Sequence, residues 1–132
     1  MLGSPASGQA LSVVLLDGHA AVRLAMASAF ERDDAFRLLG QTGDPNEALS
    51  LCAEHLPRIV LADLRYFGNR IEICSGILQA SPSTELVVYG SFFQPDEEYR
   101  YLSAGAAACL LKGQTYREIA RKLILLASGE SS

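Results

Sequence analysis

A chain of 132 residues, 49% hydrophobic and 20% charged, amounts to one domain, and folding at that size buries roughly two thirds of the surface exposed when unfolded. The formal net charge of −4 argues against a general nucleic-acid or anionic-membrane surface. No apolar run approaches the ~18 residues of a membrane-spanning helix.

Residues 1–10 have neither the basic start nor the apolar stretch of a signal peptide and read as a flexible leader. From residue 11 to 128 strands and helices alternate five times, the pattern of a parallel sheet covered on both faces. The first strand is expected over 11–16. The helix after it carries Val22, Ala25, Met26, Ala29 and Phe30 at i, i+3, i+4, i+7 and i+8, which predicts that stripe as its buried face. The second strand is expected over 36–42. The second helix opens at Asp44-Pro45-Asn46-Glu47, with a capping acid, proline at the first helical position and Glu three residues after the cap.

An unbroken apolar third strand over 58–62 suits burial on both faces. The third helix, over 70–80, is expected to bury Ile71, Cys74 and Ile77 or Leu78 and to end before Ser81-Pro82. The fourth strand is expected over 86–89. Its helix starts near Pro95-Asp96-Glu97-Glu98 and stops at Gly105. The fifth strand, over 108–111, leads to a capping box at Thr115 and Glu118, with Ile119, Leu123 and Leu126 turned inward. Residues 129–132 read as a frayed tail. Cys52, Cys74 and Cys109 each lie in an apolar stretch without a CxxC, as buried thiols in a reducing compartment do, and the spacing of His19 and His55 argues against structural zinc.

Asp17, Asp63 and Lys112 each close a short apolar run. In an open parallel α/β sheet the carboxyl ends of the strands gather along one edge, and ligands bind there. Two carboxylates and an ammonium at that edge read as a phosphoryl-and-metal site.

The runs Val-Val-Leu-Leu-Asp17-Gly18-His19, Ile-Val-Leu-Ala-Asp63-Leu-Arg65-Tyr-Phe-Gly68 and Gly105-Ala-Ala-Ala-Cys109-Leu-Leu-Lys112 together resemble a response-regulator receiver domain. The resemblance covers 11–130 and is nearest to the LuxR/NarL type, given His19, Leu-Leu-Lys112 and the closing Ala127-Ser-Gly-Glu. It implies a flavodoxin-like (βα)5 fold with strand order 2-1-3-4-5. It further implies that Asp63 is the phosphoacceptor position, charged by a partner histidine kinase, and that Lys112 is the family's lysine. Of two consecutive acids that hold Mg²⁺ in such domains only Asp17 is present, the second being Gly18. The hydroxyl position reads Gly90, with Ser91 one step later, and the aromatic switch position reads Cys109.

These departures predict weak or lost Mg²⁺ at Asp17 and Asp63 and a broken conventional switch, because phosphoryl transfer depends on positioning and electrostatic stabilisation. Arg65, two residues past Asp63, is expected to turn its guanidinium to Asp63 or Asp17 as a substitute cation. Room for a small ligand is expected over Gly18 and Gly90. The resulting expectation is a non-enzymatic, cytoplasmic, atypical receiver that works through protein–protein contact. Homodimerisation is expected through the first and fifth helices, or through the fourth helix with the fifth strand and helix, where residues 97–101 lie. DNA would be reached only through an output domain absent from this chain. The alternative is a working phosphoacceptor at Asp63 with weakened Mg²⁺ affinity. A distant alternative is a cofactor module: Asp17-Gly-His19 resembles the start of the D-x-H-x-x-G motif of cobalamin domains, but its final glycine reads Val22, and no FMN-type phosphate loop follows the first strand.

Overall fold

Five parallel strands run in the order β2-β1-β3-β4-β5 in the computed structural model, which describes residues 9–129. The strands are β1 (Leu11–Leu16), β2 (Phe36–Thr42), β3 (Ile59–Ala62), β4 (Glu85–Gly90) and β5 (Ala108–Leu111), alternating with α1 (Ala20–Glu31), α2 (Pro45–His55), α3 (Glu72–Ala80), α4 (Pro95–Ser103) and α5 (Tyr116–Ala127). This is the flavodoxin-like (βα)5 arrangement. Residues 1–8 of the expected leader and 130–132 of the expected tail lie outside the described residues.

Because successive strand residues face opposite ways, the sheet builds two cores. Val14, Leu16, Val60, Ala62, Leu86 and Val88 face α2, α3 and α4. Val13, Leu15, Ile59, Leu61, Val87 and Tyr89 face α1 and α5. On the second face Phe30 meets Phe36 and Tyr116 edge to face, at centroid distances of 5.0 and 5.3 Å. Removing so large a buried ring costs about 3–5 kcal/mol.

Local signals set most helix ends. Asp44 accepts from the Asn46 N–H at 3.0 Å, and Thr115 and Glu118 close a reciprocal capping box. At α2 the expected reciprocity is absent: Glu47 accepts from the Thr42 hydroxyl, and Thr42 rather than Glu47 satisfies the Asp44 N–H. α4 ends at Ala104 and Gly105, whose φ of +109° only glycine adopts cheaply.

Two expectations need correction. In α1 Ala27 and Phe30 are buried, whereas Val22 and Ala25 are exposed. The helix is rotated so that Arg23 reaches back to the sheet, donating to Gln41 Oε1 at 2.6 Å and to the Asp17 carbonyl at 2.7 Å. α3 begins at Glu72 rather than 70 and buries Ile73 beside Cys74 and Ile77. A 3₁₀ turn (Arg65–Phe67), then Gly68 and Asn69 at positive φ, takes up the preceding chain.

Candidate functional site

The register that pairs Leu16 with Ala62 sets Asp17 and Asp63 side by side past the ends of β1 and β3. Lys112 follows β5, its backbone N–H donating to the Gly90 carbonyl at 2.8 Å, and its long side chain crosses the edge of β4. Its Nζ stands 2.6 Å from Asp63 Oδ2 and 2.9 Å from Asp17 Oδ2. Asp17 is fully buried and Asp63 is 3% exposed. Two carboxylates so placed repel each other in a poorly solvated site, and the ammonium between them offsets that repulsion. The three residues picked from the strand ends therefore do converge.

Asp17 has a full set of partners. Its Oδ2 accepts from the Tyr89 hydroxyl at 2.7 Å and its Oδ1 from the His19 backbone N–H at 2.9 Å. Burial on its own would raise the carboxyl's pKa; the hydrogen bonds from Tyr89, His19 and Lys112 outweigh it and hold the group below its ordinary value. Burial, then the hydrogen bond to Asp17, pushes the Tyr89 phenol far up, so it stays a donor. Asp63 Oδ1 accepts the backbone N–H groups of Arg65 and Tyr66 at 3.1 and 3.4 Å.

Neither glycine position leaves the room expected of it. A Cβ on Gly18 would lie 2.1 Å from the Tyr66 ring, so that aromatic stands where the second acid was expected. A Cβ on Gly90 would meet Arg65 Cδ at 3.3 Å and Phe93 Cζ at 3.5 Å. Ser91 is exposed and lines, with His19, Val22, Lys112 and Gly113, an open cleft above the pocket. Cys109 is half-buried against the core on the α3 and α4 face, and burial pushes its thiol up to about 12.

Arg65 does not turn to Asp63 or Asp17. Its guanidinium pairs with both carboxylate oxygens of Glu97 at the start of α4 and lies 4.1 Å from the Phe92 ring centroid. Glu97 also accepts from Asn69 Nδ2 at 2.7 Å and from the Gln94 N–H at 3.0 Å, and Asn69 in turn accepts from the Tyr101 hydroxyl. The physical reason is competition: Lys112 already pairs with both aspartates, whereas among the described residues Arg65 is the cation that Glu97 meets. The cation between the two aspartates is thus Lys112, and Arg65 does not serve as a substitute.

Sequence reasoning missed Tyr89, Tyr66 and the Glu97 cluster. Tyr89 carried a readable signal, being the one polar-tipped side chain in the apolar run 86–89 and next to the strand end. Nothing local marks Tyr66 as the occupant of the space beside Gly18.

Among the described residues, Asp17, His19 and Asp63 bring ligand atoms within 4.8 Å of one another. His19 Nδ1 lies 3.2 Å from Asp17 Oδ1 and 3.6 Å from Asp63 Oδ2, with its ring edge-on to Tyr66 at 4.7 Å. Mg²⁺ demands near-octahedral oxygen coordination. With Lys112 on both Oδ2 atoms, the Tyr66 ring in place of a third carboxylate and an imidazole as the next donor, this set does not fit it.

The chain is 31% identical over 121 residues to the transcriptional regulatory protein LiaR of Bacillus subtilis, covering 91% of this chain and 57% of that protein. It is 26% identical over 122 residues to the response regulator protein VraR of Staphylococcus aureus, covering 92% of this chain and 58% of that one. The chain thus spans a little over half the length of the curated relatives it matches. The signal receiver domain of the response regulator NarL from Mycobacterium tuberculosis superposes with a TM-score of 0.84 at 27% identity, over 92% of this chain and 99% of that one. No protein-family model matches the chain.

Proposed function

Because the chain is a receiver domain of the LuxR/NarL-type response-regulator family, we propose that it is an atypical member that regulates through protein–protein contact without depending on phosphorylation of Asp63. The observation that carries this reading is the Tyr66 ring beside Gly18, which takes the place of a metal-holding acid. Gly90 and Cys109 supply neither the hydroxyl nor the aromatic rotamer through which such a switch would relay, and phosphoryl transfer stripped of positioning groups is slow. The domain is read as non-catalytic and cytoplasmic. It pairs with a second copy of itself and reaches DNA through an output domain. No helix among the described residues is long and apolar enough to cross a membrane.

A second reading, a working phosphoacceptor with weakened metal affinity, draws on the 2.6 Å contact between Lys112 and Asp63, which leaves an aspartate and a lysine together at the cleft. Incubation with Mg²⁺ and a small-molecule phosphodonor, read by intact mass beside Asp63→Asn, separates the two. No adduct, with a conventional receiver modified in parallel and the dimer unchanged by sedimentation, supports independence from phosphorylation. An Asp63-dependent adduct overturns it.

A further inference from the structure

We propose that Asp17, His19 and Asp63 form a binding site selective for a borderline divalent transition metal, Zn²⁺ in particular, over Mg²⁺. The argument is an exchange of donors. Position 18 has no side-chain oxygen, and no side chain fits there while the Tyr66 ring keeps its place, 2.1 Å from a would-be Cβ. The same ring packs edge-on against His19, at 4.7 Å and an interplanar angle of 76°, and props the imidazole toward the two buried carboxylates. What the pocket loses in hard oxygen it regains as a nitrogen.

The remaining contacts leave this set usable. Among the described residues, Asp17 Oδ1 meets only the His19 backbone N–H and the His19 ring, while Tyr89 and Lys112 hold Oδ2 of the same carboxylate. Lys112 and the His19 ring are the side-chain nitrogens at Asp63 Oδ2, and two backbone N–H groups take Oδ1. The carboxylates are thus oriented, and their backbone partners fix them as outer-shell groups fix metal ligands. The side of His19 away from the acids is open, so an incoming ion keeps water on its free positions. Two carboxylates with one lysine leave a local formal charge of −1, too little to compensate Mg²⁺ for its reluctance to shed water. Imidazole nitrogen suits Zn²⁺, which also stands above the hard ions in general affinity for such sites.

Calorimetric titration of the full chain with Zn²⁺ and with Mg²⁺, repeated for His19→Ala and His19→Gln, tests this. Expected is 1:1 Zn²⁺ binding at least ~10-fold tighter than Mg²⁺. Both variants should lose at least ~10-fold of the Zn²⁺ affinity, the lower end of what even a ligand's outer partners are worth, with Mg²⁺ affinity unchanged. Co²⁺ supplies a second readout, a visible absorption band that disappears in both variants while circular dichroism shows them folded. Mg²⁺ binding as tightly as Zn²⁺ overturns the proposal. So does Zn²⁺ binding that survives both substitutions, or that is lost on His55→Ala, since His55 and the neighbouring Glu54 approach to 3.8 Å and form the competing surface site. These outcomes are independent of whether Asp63 accepts a phosphoryl group.

Discussion

The Tyr89 hydroxyl donates to Asp17 Oδ2 at 2.7 Å, joining the end of β4 to the end of β1 beneath the ammonium of Lys112. A hydrogen bond to a buried charge contributes roughly 1.5–3 kcal/mol, so Tyr89→Phe should destabilise the fold by about that amount at neutral pH. The sign follows from Asp17, whose pKa is held below 3.8. Its contribution to stability is complete above 3.8 and is lost as pH falls from there through the lower folded value. Urea unfolding across pH should show the gap between wild type and Tyr89→Phe closing over that acid window; a gap that persists unchanged at the lowest pH contradicts the assignment.

Lys112 lies between two buried acids, and removing one partner of such a cluster leaves uncompensated charge. Lys112→Met is expected to cost roughly 3–5 kcal/mol near pH 7, with much of that recovered by Asp17→Asn in the same chain. Non-additivity in a double-mutant cycle by chemical denaturation checks it; additive losses would mean the ammonium and the carboxylate act separately.

Gly18→Asp, the substitution that restores a second acid, should destabilise the protein because its Cβ collides with the Tyr66 ring. Overpacking of this kind costs about 1–3 kcal/mol. Pairing it with Tyr66→Ala should recover stability and strengthen Mg²⁺ binding, measured by thermal unfolding and calorimetry. Equal stability of Gly18→Asp and wild type would show that Tyr66 yields freely.

The three cysteines should be poor nucleophiles in the folded state. Burial pushes Cys52 and Cys74 up to about 11 and Cys109 to about 12, so almost no thiolate exists at neutral pH. Labelling by a maleimide, followed by mass spectrometry, should track global unfolding in denaturant. Fast labelling of Cys109 in native buffer would show that β5 opens locally.

What was legible in the chain was what its neighbours in sequence decide. Asp44-Pro45 and Thr115 with Glu118 announce helix starts because a cap is a contact over three residues. Asp17, Asp63 and Lys112 were findable because strand ends share one edge of a parallel sheet. Arg65 was misdirected for a different reason. Its options were Asp63, close by in sequence, and two distant acids, Asp17 and Glu97, and charge balance at a site not yet assembled decided among them. The buried stripe of α1 was misread because alanine and valine distinguish poorly between adjacent faces, whereas the reach of Arg23 to Gln41 fixes the rotation. Tyr66 beside Gly18 is a matter of shape, and no periodicity encodes it.

The contact of Arg65 with Glu97 has a mechanical consequence. The turn that leaves Asp63 is tied to α4, because Arg65, Asn69 and Tyr101 are all bonded to the same carboxylate or to its partner. Coupling between two places is reciprocal in free energy. A protein that grips the outer side of α4, where Tyr99 is 72% exposed, therefore holds a helix that Arg65 bonds to the turn after the aspartate. In such a domain, news can travel inward from the partner to the pocket with the same strength as it travels out.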